Sequence, residues 1–432
     1  MTRHGRTSGQ PGSFDAVPAG RDARAVLDGA SVLLTVPNLL IGLVSSYLAL
    51  LTAAAWRARL RGDAQTRRPT GPTHRFLVLV AAHNEERVLG DTLRSLVALD
   101  YPATHLRVHV VADNCDDATA DIARAHGVEV HDRVAPDAPG KGPALTWLLQ
   151  RLWDRGDAHD AVAVFDADTV VSPDFLRVMD ARLSRGERVI QGYYAARDPG
   201  NSWAVAIRYA ALAVRHYLRP LARTSYGSSA GLHGNGMVVA ADLMRSRSWS
   251  AHLTEDIEFE AELLLDGERV TFAPDAVIEA EMPRRLEDAA SQTARWERGR
   301  IAIVRRYVPA LLRAAADGRT ARRLQCVDAA VDHLVPPFSF LAFLTAQLGV
   351  ASTVLWAVRR TRLSRANVGL AVGAAVVQGA YLASGLRMVG APPTVWRALL
   401  CAPRFVMWKL RVWRGSVMSG DDMSWIRTTR NS

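Results

Sequence analysis

The sequence predicts an α/β protein in which a mainly parallel β-sheet domain is flanked by transmembrane helices. Three observations lead to this fold class: strand and helix patterns alternate in the first half of the chain, three long stretches contain no charged residue, and charge is unevenly divided. The 432 residues are too many for one small core and fit two or three structural units.

Apolar strands and amphipathic helices follow one another in the first half of the chain. The expected strands are Phe76–Ala82, Leu106–Ala112, Val128–His131 and Ala161–Phe165, and the expected helices are Glu86–Leu99, Thr119–His126, Lys141–Leu152 and Pro173–Leu183. This alternation is typical of a parallel sheet with helices on both faces. Ligands of such sheets bind beyond the carboxyl ends of the strands.

The three uncharged stretches each exceed the roughly 20 residues that a helix needs to cross a bilayer. The predicted segments are a polar N-terminal segment (1–29), a transmembrane helix (30–56), a cytoplasmic domain (57–310), two more transmembrane helices (334–358 and 366–386) and a basic interfacial tail (387–432). A buried core helix is the alternative for each stretch alone, but three such stretches together favour membrane insertion.

The net charge of +10 conceals a division along the chain. Residues 69–283 contain 21 basic and 31 acidic residues and carry −10, so the remainder carries +20. A nucleic-acid-binding protein would place its basic surface on the folded domain, so we expect a lipid bilayer and no nucleic acid as partner.

Five arginines between residues 57 and 68 indicate that this end of the first span is cytoplasmic. We therefore expect a multi-pass protein of the inner membrane, although four arginines between residues 359 and 365 leave the orientation of the later hairpin open.

Acidic and amide side chains follow three of the predicted strands. The clusters are Ala82-His83-Asn84-Glu85-Glu86, Asp113-Asn114-Cys115-Asp116-Asp117 and Asp166-Ala167-Asp168. Each alone could cap a helix, because Asn and Asp accept hydrogen bonds from the free amides of a first turn. Carboxylates at one sheet edge repel each other, so three clusters together indicate a bound cation or ligand. Oxygen ligands such as Asp166 and Asp168 suit Mg²⁺ or Mn²⁺.

The order of these and later motifs resembles the membrane-bound branch of glycosyltransferase family 2, which includes cellulose, chitin and hyaluronan synthases and ceramide glucosyltransferases. The motifs are AHNEE, DNCDD with a following Thr119, GKGPAL, DAD, TED and QTARW. The resemblance implies a GT-A-like, Rossmann-related domain and an inverting single displacement. It also implies a nucleotide-diphospho-sugar donor, with a UDP-sugar as the expected form, and a bound Mg²⁺ or Mn²⁺.

Position by position, the resemblance assigns the nucleotide site to Ala82, Glu85, Asp113, Lys141 and Asp166. Asp168 would be the direct metal ligand, with Asp166 shared between ribose and metal. Lys141 is one of only two lysines in an arginine-rich chain, which favours a role that arginine cannot fill. A solvated lysine at a helix start is the alternative.

Asp256, in the segment Thr254-Glu255-Asp256, matches the general base of the family. Inversion needs a carboxylate that takes the proton of the acceptor hydroxyl during attack. The alternative is that Thr254 caps a helix whose first turn the two acids stabilise. Gly234 and Asn235, together with Thr254 and Glu255, are the predicted acceptor side of the site, although a plain turn also explains the glycines around Asn235.

Gln292, Arg295 and Trp296 match the last motif of the family and complete the predicted catalytic residues. Their spacing places them on one face of a helix. Arginine can hold a diphosphate there, and an indole can stack on a sugar. Ordinary interfacial packing is the alternative explanation for these three residues.

The sequence thus predicts a membrane hexosyltransferase, polysaccharide-synthase-like, with a saccharide or lipid-linked acceptor. A glycolipid-forming transferase that adds a single sugar is the alternative. An inactive membrane partner of a polysaccharide secretion complex is a weaker one, because both the metal motif and the base motif are intact.

Overall fold

The computed structural model describes residues 19–62, 71–247, 249, 254–317 and 322–418. The described residues form two compact units, one within 19–43 and 344–375 and the other within 44–343 and 376–418. The second unit contains the β-sheet and every predicted site residue.

One eight-stranded sheet lies at the centre of the second unit. Its strands are β1 (Phe76–Ala82), β2 (Leu106–Asp113), β3 (Glu129–Arg133), β4 (Ala161–Asp166), β5 (Thr169–Val171), β6 (Val189–Ala196), β7 (Met237–Ala240) and β8 (Thr271–Ala280). Their spatial order is β3-β2-β1-β4-β7-β6-β8-β5. The strands β3, β2, β1 and β4 are parallel neighbours, and so are β6 and β8, whereas β7 is antiparallel to β4 and β6 and β5 is antiparallel to β8. This mainly parallel sheet confirms the predicted fold class.

Helices connect the strands and continue beyond the sheet. They are α1 (Ala19–Arg61), α2 (Leu89–Val97), α3 (Thr119–Ala125), α4 (Lys141–Asp154), α5 (Phe175–Leu183), α6 (Trp203–Leu212), α7 (Arg219–Ser225), α8 (Ala241–Arg245), α9 (Glu255–Leu265), α10 (Ala290–Ala316), α11 (Arg323–Leu334), α12 (Phe338–Val358), α13 (Arg362–Met388), α14 (Pro393–Ala398) and α15 (Ala402–Met418). A π-helical segment, Ala213–Leu218, joins α6 to α7.

Strand β1 is buried on both faces, as expected for the middle of a parallel sheet. Successive side chains of a strand point to opposite faces. Phe76, Val78 and Val80 accordingly join one core with residues of α2 and α5, while Leu77 and Leu79 join the other with residues of α4. Two apolar layers therefore fix the sheet between helices.

The strand register brings the predicted polar clusters to one edge. Ala81 lies opposite both Val111 of β2 and Asp166 of β4. The chain segments that leave β1, β2 and β4 consequently start side by side, at the carboxyl ends of parallel strands.

Among the residues that the structure describes, three helices are long and apolar enough to cross a membrane: residues 24–61 of α1, all of α12 and all of α13. The segment predicted to start at residue 334 begins as a helix only at Phe338, because Pro336 and Pro337 separate it from α11. Within the first unit, Asn38 Nδ2 donates to Ser352 Oγ at 3.2 Å, and Asn367 Nδ2 donates to the Ser31 carbonyl at 2.9 Å. Such polar contacts join helices where apolar side chains alone give little specificity.

The segment predicted as an interfacial tail starts at the end of α13 and continues into α14, which packs on α6 through the buried side chains of Val395 and Ala398. The following helix α15 packs on α10. The remainder of the predicted tail, residues 419–432, lies outside the described residues.

Candidate active site

Asp166 ends β4 and is held by the turn that precedes β7. Its backbone N–H donates to Asn235 Oδ1 at 3.1 Å, and Asn235 Nδ2 donates to Thr169 Oγ1 at 2.8 Å. Both ends of the buried Asn235 amide are thus occupied within the protein. Its side chain positions the end of β4, and the acceptor contact expected from the sequence stays a prediction.

Lys141, the first residue of α4, joins the sheet edge to this turn. Its ammonium group donates to Asp166 Oδ1 and to the carbonyl oxygen of Gly234. Burial alone would lower the pKa of Lys141, but the carboxylates of Asp166 and Glu255 outweigh burial and raise it. The lysine is therefore cationic at neutral pH and neutralises an otherwise acidic site.

Glu255 and Asp256 open α9 on the other side of Gly234. A Cβ atom placed at Gly234, whose φ is +69°, would lie 3.3 Å from Asp256 Oδ2, so only glycine lets the turn approach the carboxylate this closely. Burial raises the pKa of both carboxyls, and the Asp256 carboxylate raises that of Glu255 further, while Lys141 opposes both shifts. A carboxyl with a raised pKa is suited to accept a proton near neutral pH.

The capping role considered for Thr254 is not seen, because its side chain makes no capping hydrogen bond to the start of α9. The backbone N–H of Ile257 donates to the Asp256 carboxylate instead. Asp256 thus satisfies a free amide of the first turn and is fixed in place by it.

The predicted nucleotide side lies at the ends of β1 and β2. The buried carboxylate of Asp113 accepts hydrogen bonds from Arg133 Nη1 and from Asn114 Nδ2, the latter at 3.2 Å. The backbone N–H of Glu85 donates to Thr119 Oγ1 at 2.7 Å, and Ala82 is buried at the end of β1. Thr119 therefore orders the loop that carries Glu85.

Asp168 lies in the turn between β4 and β5. Its carbonyl oxygen accepts a hydrogen bond from Glu281 N at 3.3 Å. Asp166 at the end of β4 and Asp168 in the following turn, separated by Ala167, thus offer hard oxygen donors of the kind that Mg²⁺ and Mn²⁺ prefer.

Helix α10 carries Gln292, Arg295 and Trp296 and contacts the start of α9 through a glycine. A Cβ atom at Gly299 would overlap Thr254 Cγ2, so the two helices touch there. Gly299 lies seven, four and three residues after the three motif residues, hence on the same helix face. The motif face therefore points toward the segment that carries Asp256, and Trp296 is 43% exposed beside it.

Two features of the site were not identified from the sequence. Gln191 of β6 clamps the turn before β7, because its Oε1 accepts from His233 N at 3.0 Å and its Nε2 donates to the Asn235 carbonyl at 2.8 Å. No local pattern marks this glutamine inside a buried strand.

The second feature is a row of arginines, Arg215, Arg219 and Arg223, spaced by four residues and therefore recognisable as one helix face. Arg219 and Arg223 form ion pairs with Asp332 at 3.2 and 3.4 Å. Burial would raise the pKa of Asp332, but Arg223 and Arg219 hold it well below its usual range. The guanidinium of Arg215 makes no hydrogen bond or ion pair with any residue that the structure describes, and it lines a small cavity with His233.

The family model described as "Glycosyltransferase like family 2" matches residues 72–299, more than half of the chain. The chain therefore belongs to the family-2-like glycosyltransferases, which confirms the predicted family and the prediction that it is a glycosyltransferase.

Among individual relatives, the chain is 30% identical over 249 residues to the beta-monoglucosyldiacylglycerol synthase of Synechocystis sp., covering 56% of this chain and 50% of that one. It is 22% identical over 249 residues to glucomannan 4-beta-mannosyltransferase 7 of Arabidopsis thaliana, covering 55% of this chain and 44% of that one. The chain thus spans about half the length of these relatives. The mannosyltransferase PcManGT of Pyrobaculum calidifontis, solved with GDP-Man and Mn²⁺, aligns with 83% of this chain and 97% of its own at 17% identity, with a TM-score of 0.49.

Proposed function

We propose that this protein is an inverting membrane glycosyltransferase that moves a sugar from a nucleotide-diphospho-sugar to a hydroxyl of a saccharide or lipid-linked acceptor. The observation that carries the proposal is the cluster at the sheet edge, in which Lys141 links Asp166 to Gly234 and Gly234 adjoins Asp256. Lys141 and Gly234 thereby connect the Asp166 carboxylate, on the proposed donor side, with the Asp256 carboxyl, whose pKa is raised.

Asp256 is the proposed general base. The acceptor oxygen attacks the anomeric carbon, its proton passes to the Asp256 carboxylate, and the bond from that carbon to the diphosphate oxygen breaks with its electrons on the leaving group. General-base catalysis contributes about 10²- to 10⁴-fold to such a step.

The donor would lie along the ends of β1, β2 and β4, with a UDP-sugar as the expected form. Asp113, fixed by Arg133, and the loop of Glu85 face this edge. Asp168 and Asp166 offer the hard oxygen donors that Mg²⁺ or Mn²⁺ requires, and the bound cation would offset the charge of the diphosphate. Arg295, on the α10 face that meets Thr254, would contact the same diphosphate, with Gln292 beside it and Trp296 toward the acceptor.

The long apolar helices would anchor the protein in the inner membrane as a multi-pass protein with the catalytic domain in the cytoplasm. Helix length and hydropathy support the spans. The arginines that follow α1 support the cytoplasmic orientation.

A glycolipid synthase that adds one sugar is the second candidate, and the similarity to a monoglucosyldiacylglycerol synthase favours it over polysaccharide synthesis. Purified protein in detergent, incubated with radiolabelled UDP-sugars, Mg²⁺ or Mn²⁺ and either diacylglycerol or oligosaccharide acceptors, tests both. Cation-dependent nucleotide release with a singly glycosylated lipid supports the second candidate, and a ladder of longer products supports a polymerising enzyme. Absence of transfer from any nucleotide sugar, with Asp256→Asn indistinguishable from the parent, contradicts the proposed function.

A further inference from the structure

A groove of about 310 Å³ lies between α10, the start of α12 and α15. Its walls are mainly apolar and include Ile301, Val304, Pro337, Phe340, Leu410 and Trp413. The rings of Phe340 and Trp413 stack at 5.6 Å and form one side. We call this cavity the α10–α15 groove.

Three of the four charged side chains that line the α10–α15 groove, Glu297, Arg300 and Lys409, lie toward one end, and the fourth, Arg305, follows Val304 further along α10. Lys409, the second of the two lysines in the chain, forms an ion pair with Glu297 at 3.0 Å. Arg300 lies one turn further along α10, and its Nη2 donates to the Val335 carbonyl at 2.9 Å. Burial lowers the pKa of Arg300 to about 10, so the guanidinium remains charged at neutral pH.

Arg300 connects the groove to the proposed site. It also lines the small polar cavity that contains Gly231, His233 and Arg215. His233 is followed by Gly234, which adjoins Asp256. The groove thus has an apolar end between helices and a charged end that leads toward the proposed base.

The neighbourhood of the apolar end decides what can occupy it. Helix α12, whose first turn lines the groove, is apolar enough to cross a membrane, so the groove opens where hydrocarbon chains of lipids are concentrated. Each methylene that leaves water for an apolar wall strengthens binding by about fourfold. A saccharide would instead need many partners for its hydroxyls, and beyond Ser339 and Arg305 this part of the wall consists of proline, aromatic and aliphatic side chains.

We infer that the α10–α15 groove holds a hydrocarbon chain of the acceptor, and hence that the acceptor is a lipid whose head group reaches Asp256 past Arg300. This inference rests on the proposed function for its head-group chemistry, but the binding of the chain can be measured without turnover.

The test uses the full-length protein in nanodiscs with two photoactivatable probes, a diacylglycerol and an isoprenoid phosphate, each with a diazirine near the end of a hydrocarbon chain. Both carry a long chain and an oxygen nucleophile, and the pair distinguishes a neutral from an anionic head group. Mass spectrometry locates the cross-links. We expect cross-links in the groove segments of α10 and α15 that unlabelled lipid of the same kind competes away.

Ile301→Trp fills the groove, and Leu312→Trp is the matched control, because Leu312 lies on the same helix and is 45% exposed outside the groove. We expect Ile301→Trp to reduce the competed cross-links by about tenfold or more, because the added ring displaces about two or three methylene groups of the chain. Leu312→Trp should leave the cross-links unchanged. Melting temperature and nucleotide-sugar affinity, measured on all three proteins, confirm that each is folded.

With active protein, the preference for dioleoylglycerol over dihexanoylglycerol, measured as kcat/KM, should fall in Ile301→Trp and persist in Leu312→Trp. Cross-links that are not competed, that spread over the apolar helices, or that are equal in folded Ile301→Trp and parent overturn the inference. Competed groove cross-links in a protein that transfers no sugar would uphold the lipid site and refute the proposed function, so the two failures are distinguishable.

Discussion

Asp256→Asn separates a catalytic role from a purely helix-stabilising one, because the two roles predict opposite changes in stability. The Asp256 carboxyl is partly buried, and burial raises its pKa. Its charged form is therefore disfavoured in the folded protein. Asparagine has a similar volume and keeps an oxygen that can accept the N–H of Ile257, but it carries no charge and cannot take a proton.

The sign of the effect follows from linkage between protonation and folding. A carboxyl whose pKa is higher in the folded than in the unfolded protein contributes stability when protonated, and this contribution is lost as pH rises through the folded pKa. A rise of one pKa unit corresponds to about 1.4 kcal/mol, and partial exposure keeps the net effect near ~1–2 kcal/mol. At about 2–4 °C per kcal/mol for a domain of this size, Asp256→Asn should melt several degrees higher than the parent at alkaline pH and equally at acid pH.

Transfer should fall by about 10²- to 10⁴-fold in the same variant, with nucleotide-sugar affinity little changed. The measurements are melting curves at acid and alkaline pH, donor affinity by calorimetry and the transfer rate. Asp121→Asn is the matched control, because Asp121 also lies in a first helical turn, in α3, but its side chain is 84% exposed. If Asp256→Asn melts at a lower temperature than the parent at both pH values and transfers sugar within a few-fold of the parent rate, Asp256 is not the base. Its role would then be to stabilise the helix.

Three further changes test other parts of the site. Asp168→Asn should greatly weaken Mg²⁺- or Mn²⁺-dependent donor binding, measured by calorimetry, with the melting temperature nearly unchanged; equal cation dependence would remove Asp168 from the metal site. Lys141→Arg should lower donor affinity, because a planar guanidinium replaces a compact ammonium enclosed by two oxygen partners, and an unchanged affinity would mean that only the charge matters. Gly299→Ala should push the start of α9 away and reduce transfer at least about tenfold, since a misplacement of about 1 Å can cost 10²-fold. Gly415→Ala, where no atom lies within 4 Å of the added methyl, should leave transfer unchanged and serves as its control.

The parallel half of the sheet could be predicted because each of its strands can be recognised from its own short run of apolar residues. β1 coincides with its predicted bounds, and β2 and β4 each extend one residue further. The clusters at their ends come together because parallel strands share an edge, which needs only strand direction and not tertiary detail. β5 to β8 were not predicted, since β7 inserts antiparallel between β4 and β6, and long-range pairing of this kind leaves no local signal.

The side chains and backbone groups that bind the site residues could not be predicted from the sequence either. Asp113 could be recognised as a strand-end carboxylate, but not its pairing with Arg133, which comes from the neighbouring strand β3. Asn235 was predicted on the acceptor side, but the hydrogen bonds of its amide to the β4 end and to Thr169 could not be predicted. Motifs identify which residues are gathered, and only the fold determines whether a side chain faces a ligand or another protein group.

Two glycines define how the donor and acceptor sides meet at the proposed base. Gly234 lets the turn that binds Lys141 lie against Asp256, and Gly299 lets α10 lie against the preceding Thr254. The start of α9 is therefore held between two elements. One is the turn whose Gly234 carbonyl binds Lys141, the partner of Asp166, and the other is α10, which also lines the α10–α15 groove. A shift of the turn would displace Asp256 directly, and a shift of α10 would displace it through Thr254, because a close contact at a glycine cannot be relieved by rotating a side chain. This arrangement makes the position of Asp256 depend on both sides at once, which is the geometry expected of a base that must act only when donor and acceptor are both in place.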